Sequence, residues 1–169
     1  GIGLTACLSS IYSELDDQPL PLVGGRDGMV LGFAAMLKAI QRERTGCIAI
    51  VASEEAKDYR PEMTWLAARL REQGLHAYCV EPRDVRFTED GLRLRTDTGE
   101  EPIAVLYRFY ELFDLLNIPK AELIQYAAKK EWVAVTPPYK PALEEKSAFA
   151  LLHHPVLRPF WEKELGETT

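Results

Sequence analysis

Four short apolar runs that alternate with helical patterns are the feature that most limits how this chain can fold. They are rich in apolar and β-branched residues and cover residues 47–53, 75–82, 103–109 and 132–138. Runs of this kind predict strands that are buried on both faces of a sheet. Because strands separated by helices join in parallel through right-handed crossovers, the sequence predicts an α/β fold.

Apolar residues at three- and four-residue steps predict the helices around these runs. The helical patterns cover residues 4–15, 29–40, 61–74 and 120–130, while prolines and glycines over 16–25 predict a loop. Together these patterns predict a Rossmann-like three-layer domain with a mostly parallel sheet.

Two segments depart from this alternation. "VRFTEDGLRL" alternates around Glu89-Asp90-Gly91, which predicts a β-hairpin inserted before the third core strand, at an edge of the sheet. After the fourth strand, a last helical stretch carries Leu143 and continues to a break at Pro155.

Composition and charge narrow the class of protein. With 47% hydrophobic and 27% charged residues, the 169 residues suffice for one domain, 1–169, with its own core. The net charge of −6 and the lack of a basic cluster interleaved with aromatics argue against a nucleic-acid partner. No apolar run is long enough to span a membrane. Three cysteines without a CxxC spacing fit a reducing, cytoplasmic location.

The beginning of the chain suggests a larger protein. It opens inside an apolar segment, "GIGLTACLSSIY", without a basic start. We therefore expect a fragment of a longer chain, with an apolar surface left exposed around Ile2, Leu4 and residues 155–161 where another domain would pack.

The common catalytic and cofactor motifs do not fit. "GGRDG" precedes a helix but follows no strand, and Ser53 lacks the glycines of a nucleophile elbow. His76, His153 and His154 have no acidic residue or cysteine at metal-ligand spacing. The sequence therefore predicts no metal site and no catalytic residue.

Arg108 is the residue most in need of an explanation, because it follows buried positions near the end of the third run. A guanidinium stays charged and has to find an anion. One interpretation is a structural ion pair with Glu111 or Asp114. The other is a bidentate bond to a substrate carboxylate.

Further candidates lie after the strands, since open α/β sheets bind ligands at the carboxyl ends of their strands. Tyr59 and Glu62 follow the first run and face the same predicted crevice, and Glu111 follows the third. Glu62 is also an ordinary acidic residue for the first turn of a helix, and Lys146 an ordinary partner for Glu144 or Glu145.

The order of these elements resembles a known family. "DVRFTEDGLRLRTDTG" feeds directly into "VLYR", and "PPYKPALEEK" follows the next strand. In this order and spacing, and over nearly the whole chain, the sequence is similar to the central domain of the circularly permuted ATP-grasp proteins. These are relatives of glutathionylspermidine synthetase and eukaryotic glutathione synthetase.

The resemblance implies a pre-ATP-grasp, substrate-binding domain of an ATP-dependent carboxylate–amine ligase, which activates a carboxylate as an acyl phosphate for capture by an amine. Arg108 matches an arginine on the substrate side, and Glu62 matches a glutamate of undefined role. With Tyr59 and Glu111 they form the predicted site for a small carboxylate or peptide substrate. Lys146 matches a lysine at the edge of the nucleotide site.

The resemblance also implies what this domain lacks. The chain has no lysine-bearing lid and no carboxylate cluster for Mg²⁺, so ATP and Mg²⁺ are expected to bind mostly to an ATP-grasp domain of the same protein. The isolated domain is expected to be inactive. Phe109 and Tyr110 stand where relatives often carry acidic residues, which implies a different substrate.

Two alternatives stay open. The chain could be a stand-alone, non-catalytic Rossmann-like module that binds a small metabolite or a protein partner. It could also be a scaffold in which Arg108 is only a member of an ion pair.

Overall fold

The computed structural model describes residues 1–15, 24–25, 27–96 and 99–166, and the predicted loop over 16–25 falls mostly outside them. The chain divides into two compact units, Gly1–Pro137 and Pro138–Thr169. Each is described by itself.

Four helices of the first unit confirm the helical patterns of the sequence. They are α1 (Ile2–Leu15), α2 (Gly28–Gln41), α3 (Arg60–Glu72) and α4 (Ala121–Lys129). Pro61 lies in the first turn of α3, where its missing N–H costs nothing. None of these helices, nor any other in the described ranges, is long and apolar enough to cross a lipid bilayer.

Within the described ranges, six strands form one sheet. They are β1 (Cys47–Ala52), β2 (Ala77–Val80), β3 (Val85–Thr88), β4 (Gly91–Thr96), β5 (Gly99–Phe109) and β6 (Ala134–Thr136). Their order is β2-β1-β5-β4-β3, with β6 also paired to β5. β1 is parallel to both β2 and β5, and β5 is parallel to β6. The α/β class and the inserted hairpin β3–β4 are therefore confirmed.

The prediction of a mostly parallel sheet is not confirmed, because the sheet is mixed. β5 begins at Gly99, before the apolar run, and its first residues pair antiparallel with β4. The hairpin thus continues directly into the central strand. The first residues of β5 are polar, and a search for apolar runs does not detect a polar start to a strand. The pairing of these residues with β4 could therefore not be predicted from the sequence.

The core of the first unit lies between the sheet and the helices α2 and α3. Every residue of β1 is buried, as expected for a strand covered on both faces. Ile48 and Ile50 of β1 belong to the same buried cluster as Leu37 of α2 and Leu66 of α3. Since side chains alternate along a strand, Val105 and Tyr107 of β5 face this layer and Arg108 points to the opposite face.

The second unit is short and its helical segments are tighter than predicted. Residues Pro141–Leu143 and Lys146–His153 form 3₁₀ helices, and α5 (Arg158–Leu165) follows. Pro141 begins the first 3₁₀ helix, and Pro155 lies between the second 3₁₀ helix and α5, where its missing backbone N–H prevents one continuous helix. Trp161 Nε1 donates to Leu151 O at 2.8 Å, which ties α5 to the preceding 3₁₀ helix.

Some of the apolar residues expected at the surface are exposed in each unit taken by itself. Leu4, Val156 and Phe160 are exposed, whereas Ile2 is half-buried and packs against the core.

Candidate functional site

The parallel strands bring their carboxyl ends to one edge of the sheet. In the register of β1 and β5, Val51 lies opposite Arg108 and Ala52 opposite Phe109. Val51 also lies opposite Val80, the last residue of β2. The residues that follow these strands therefore meet at this edge, which we call the carboxyl edge.

Arg60, the first residue of α3, is the centre of an ion-pair network at the carboxyl edge. Its Nη1 donates to Glu81 Oε1 at 2.9 Å, just beyond β2. Its Nη2 donates to Ser53 O at 3.1 Å and to Glu54 Oε2 at 3.0 Å, just beyond β1. Arg60 thus connects the ends of two neighbouring strands through one guanidinium.

The network binds an exposed carboxylate, that of Glu54. Besides the bond from Arg60, Lys57 Nζ lies 3.3 Å from Glu54 Oε1. The hydrogen bond from Arg60 has the largest effect in lowering the pKa of Glu54, and the hydrogen bond from Lys57 has the next largest. A carboxylate is therefore accommodated between two cations on the solvent side of this edge.

Arg108 lies deeper, with only 4% of its surface exposed. Its Nη1 donates to Tyr110 O, and its Nε donates to Pro137 O at 3.3 Å. Its guanidinium also lies 5.6 Å from the centre of the Tyr110 ring. Arg108 is thus held by the main chain that follows β5 and β6, in addition to any role toward a ligand.

The two residues predicted as partners of Arg108 differ in their surroundings. Glu111 is exposed directly after β5. Asp114 is buried in the next 3₁₀ turn, where its Oδ1 accepts a hydrogen bond from Asn117 Nδ2 at 2.7 Å. Its Oδ2 has no hydrogen-bond partner within the described residues.

Tyr59 is at the carboxyl edge, as predicted. It is more than half exposed, and its ring centre lies 5.7 Å from that of Phe109 in an edge-to-face arrangement. Phe109 in turn contacts Tyr107. The aromatic rings of Tyr59 and Phe109 therefore lie beside the cations at the carboxyl edge.

Glu62 is turned away from the strand ends toward the beginning of α1. Its Oε1 accepts hydrogen bonds from the backbone N–H groups of Gly3 at 2.8 Å and Leu4 at 3.3 Å. The first N–H groups of a helix have no partner inside the helix, so a carboxylate here stabilises α1. The structure thus brings Tyr59, Arg108 and Glu111 to the carboxyl edge and separates Glu62 from them.

Lys146 belongs to the second unit, where it is the first residue of an exposed 3₁₀ helix. A single lysine on a helix of this kind does not form a phosphate cradle. Among the described residues, no group of three or more His, Cys, Asp or Glu side chains could hold a metal ion. Lys146 by itself therefore does not fit ATP, and the described acidic residues do not form a site for Mg²⁺.

Arg60 and Glu81 were missed by the reasoning from sequence. A signal was present, because Arg60 directly follows the candidate Tyr59 and begins the helix after the first strand. Its pairing with Glu81 depends on β2 lying beside β1, which local sequence does not indicate.

No protein-family model matches this chain, and a search of the curated proteins found no significant match.

Proposed function

We propose that this chain is the substrate-binding α/β domain of an ATP-dependent carboxylate–amine ligase of the circularly permuted ATP-grasp type. In this proposal it holds a small carboxylate or peptide substrate at the carboxyl edge of its parallel strands. ATP and Mg²⁺ belong to an ATP-grasp domain of the same protein, which is its partner.

The order of the parallel strands carries the proposal. β1 lies between β2, which follows it in the chain, and β5, which comes later. The chain therefore leaves β1 toward one side and returns on the other. In a Rossmann-like sheet this reversal opens a crevice at the carboxyl ends of the two strands, where ligands bind.

The side chains at this reversal suit a carboxylate. Arg60 and Lys57 already bind the carboxylate of Glu54 on the solvent side. A substrate carboxylate can take the place of Glu54, because an exposed ion pair is weak and exchanges easily. Tyr59 and Phe109 offer aromatic surface to the remainder of the substrate.

Calorimetric titration of the chain with glutathione, a tripeptide carboxylate, tests the binding function. We expect saturable binding of glutathione and none of its diethyl ester, in which both carboxylates are blocked. Arg60→Gln should weaken binding about tenfold, the effect of one charge-assisted hydrogen bond. Glu54→Gln should strengthen binding, because it removes the competing carboxylate.

The matched control is Arg42→Gln. Arg42 is exposed at the end of α2, before β1 begins, and is therefore remote from the carboxyl edge. It should leave the affinity unchanged. Equal binding of the acid and the diester, or equal losses in the Arg60 and Arg42 variants, would overturn the carboxylate site.

The ligase part of the proposal has a separate test. The longest natural form of the protein, supplied with ATP, Mg²⁺, glutathione and a polyamine, should release ADP only when both substrates are present. Carboxylate binding without ADP release would instead favour the stand-alone binding module.

A further inference from the structure

We propose that the first unit contains a second anion site that takes a phosphate-bearing small molecule. A basic pocket of about 620 Å³ lies beyond the end of β2, between the 3₁₀ turn Pro82–Asp84 and the hairpin β3–β4. Its charged lining residues are Arg83, Arg86, Arg95, Lys120 and Asp84. This site is distinct from the carboxylate site and does not depend on the ligase proposal.

The charge of the pocket is opposite to that of the chain. Four cationic residues and one carboxylate line it, although the whole protein has a net charge of −6. Asp84 Oδ2 accepts the backbone N–H of Glu81 at 3.0 Å, so this carboxylate already serves the turn. A cleft lined by charges of one sign attracts ions of the opposite sign.

Two of the cations have carboxylate partners and two do not. Arg83 pairs with Glu81 at 2.8 Å and Arg86 pairs with Glu100. Neither Arg95 nor Lys120 forms an ion pair within the part of the chain that the structure describes. Their charge is therefore available to a ligand.

Lys120 is held in position by the main chain. Its Nζ donates to Arg83 O and to Val85 O, both at 2.6 Å. Two carbonyls fix the ammonium at the wall of the pocket but leave its charge uncancelled. A preorganised cation binds an anion without losing the side-chain freedom that a surface lysine would lose.

A phosphate matches these groups better than a single carboxylate does. A phosphate monoester or diphosphate carries about two negative charges or more and several acceptor oxygens, which arginine and lysine bind together. The pocket has the volume of a small-molecule site. The acidic chain opposes a long polyanion such as nucleic acid.

Calorimetric titration with pyrophosphate at low ionic strength tests the site. We expect saturable binding that weakens as salt is added. Arg95→Gln should weaken it about tenfold, since an exposed arginine contributes one or more charge-assisted hydrogen bonds. Arg83→Gln should also weaken pyrophosphate binding. Both side chains are exposed, so folding should be retained.

Lys129→Gln is the control, because Lys129 is exposed on α4 and does not line the pocket. It should leave pyrophosphate affinity unchanged. Absence of saturable binding, or the same loss in the Lys129 and Arg95 variants, would overturn the site. Arg95→Gln should also leave glutathione binding unchanged, which separates failure of this site from failure of the carboxylate site.

Discussion

At the scale of single residues, Arg108 combines burial, permanent charge and main-chain hydrogen bonds. Arg108→Met should lower the free energy of unfolding by about 2–4 kcal/mol, because the carbonyls of Tyr110 and Pro137 lose a buried donor. Urea unfolding of the variant measures this, with exposed Arg42→Met as the control. Unchanged stability together with lost glutathione binding would contradict the structural role and assign Arg108 to the substrate.

At the scale of elements, the turn from α2 into β1 depends on Gly46. Its φ of +133° is one that side chains rarely adopt, and a Cβ added there would lie 2.2 Å from Pro102 O of the neighbouring strand β5. Gly46→Ala should therefore destabilise the protein by about 2 kcal/mol or more in thermal or urea unfolding.

Gly32 in α2 offers the matched comparison, because a Cβ there meets no atom within 4 Å. Gly32→Ala should stabilise the protein by about 0.5–1 kcal/mol through helix propensity. Similar effects of the two substitutions would show that Gly46 is not needed for the close approach of β1 and β5.

At the scale of the whole molecule, buried and partly buried thiol and phenol groups should make the free energy of unfolding fall at alkaline pH. Burial raises the pKa of Cys47 from 9.0 to about 12 and also raises the pKa of Cys79 and Tyr107. Above pH 9 the unfolded chain loses these protons while the folded protein keeps them, so rising pH favours unfolding. Urea unfolding between pH 8 and 11 should show this decline.

Cys47→Ala isolates one contribution to this decline. It should make the fall in the free energy of unfolding shallower by up to about 1.4 kcal/mol per pH unit, the value for one proton. Cys7→Ala, at an exposed position, should leave the slope of the wild type unchanged. An equal slope in the Cys47 and Cys7 variants would contradict the assignment.

Local patterns in the chain were enough to predict most elements of the fold. β1 was predictable as a strand because its residues form a short apolar run, and α3 was predictable as a helix because Met63, Leu66 and Leu70 recur at helical spacing. Both signals depend only on neighbours in sequence. The site was predicted less completely. Tyr59 follows β1 and Arg108 lies near the end of β5, but Phe109 beside Tyr59 and Pro137 beside Arg108 come from other parts of the chain.

The sequence by itself therefore determined the α/β class, the helices, the apolar strands and the inserted hairpin. Only the tertiary structure decided that the hairpin joins β5 and makes the sheet mixed, that Glu62 serves α1, and that Arg60 and Glu81 meet at the carboxyl edge. The physical reason is the separation in sequence between the residues that interact. Periodicity records which face of an element is buried, whereas these pairings depend on which strands become neighbours and are made between residues distant in sequence.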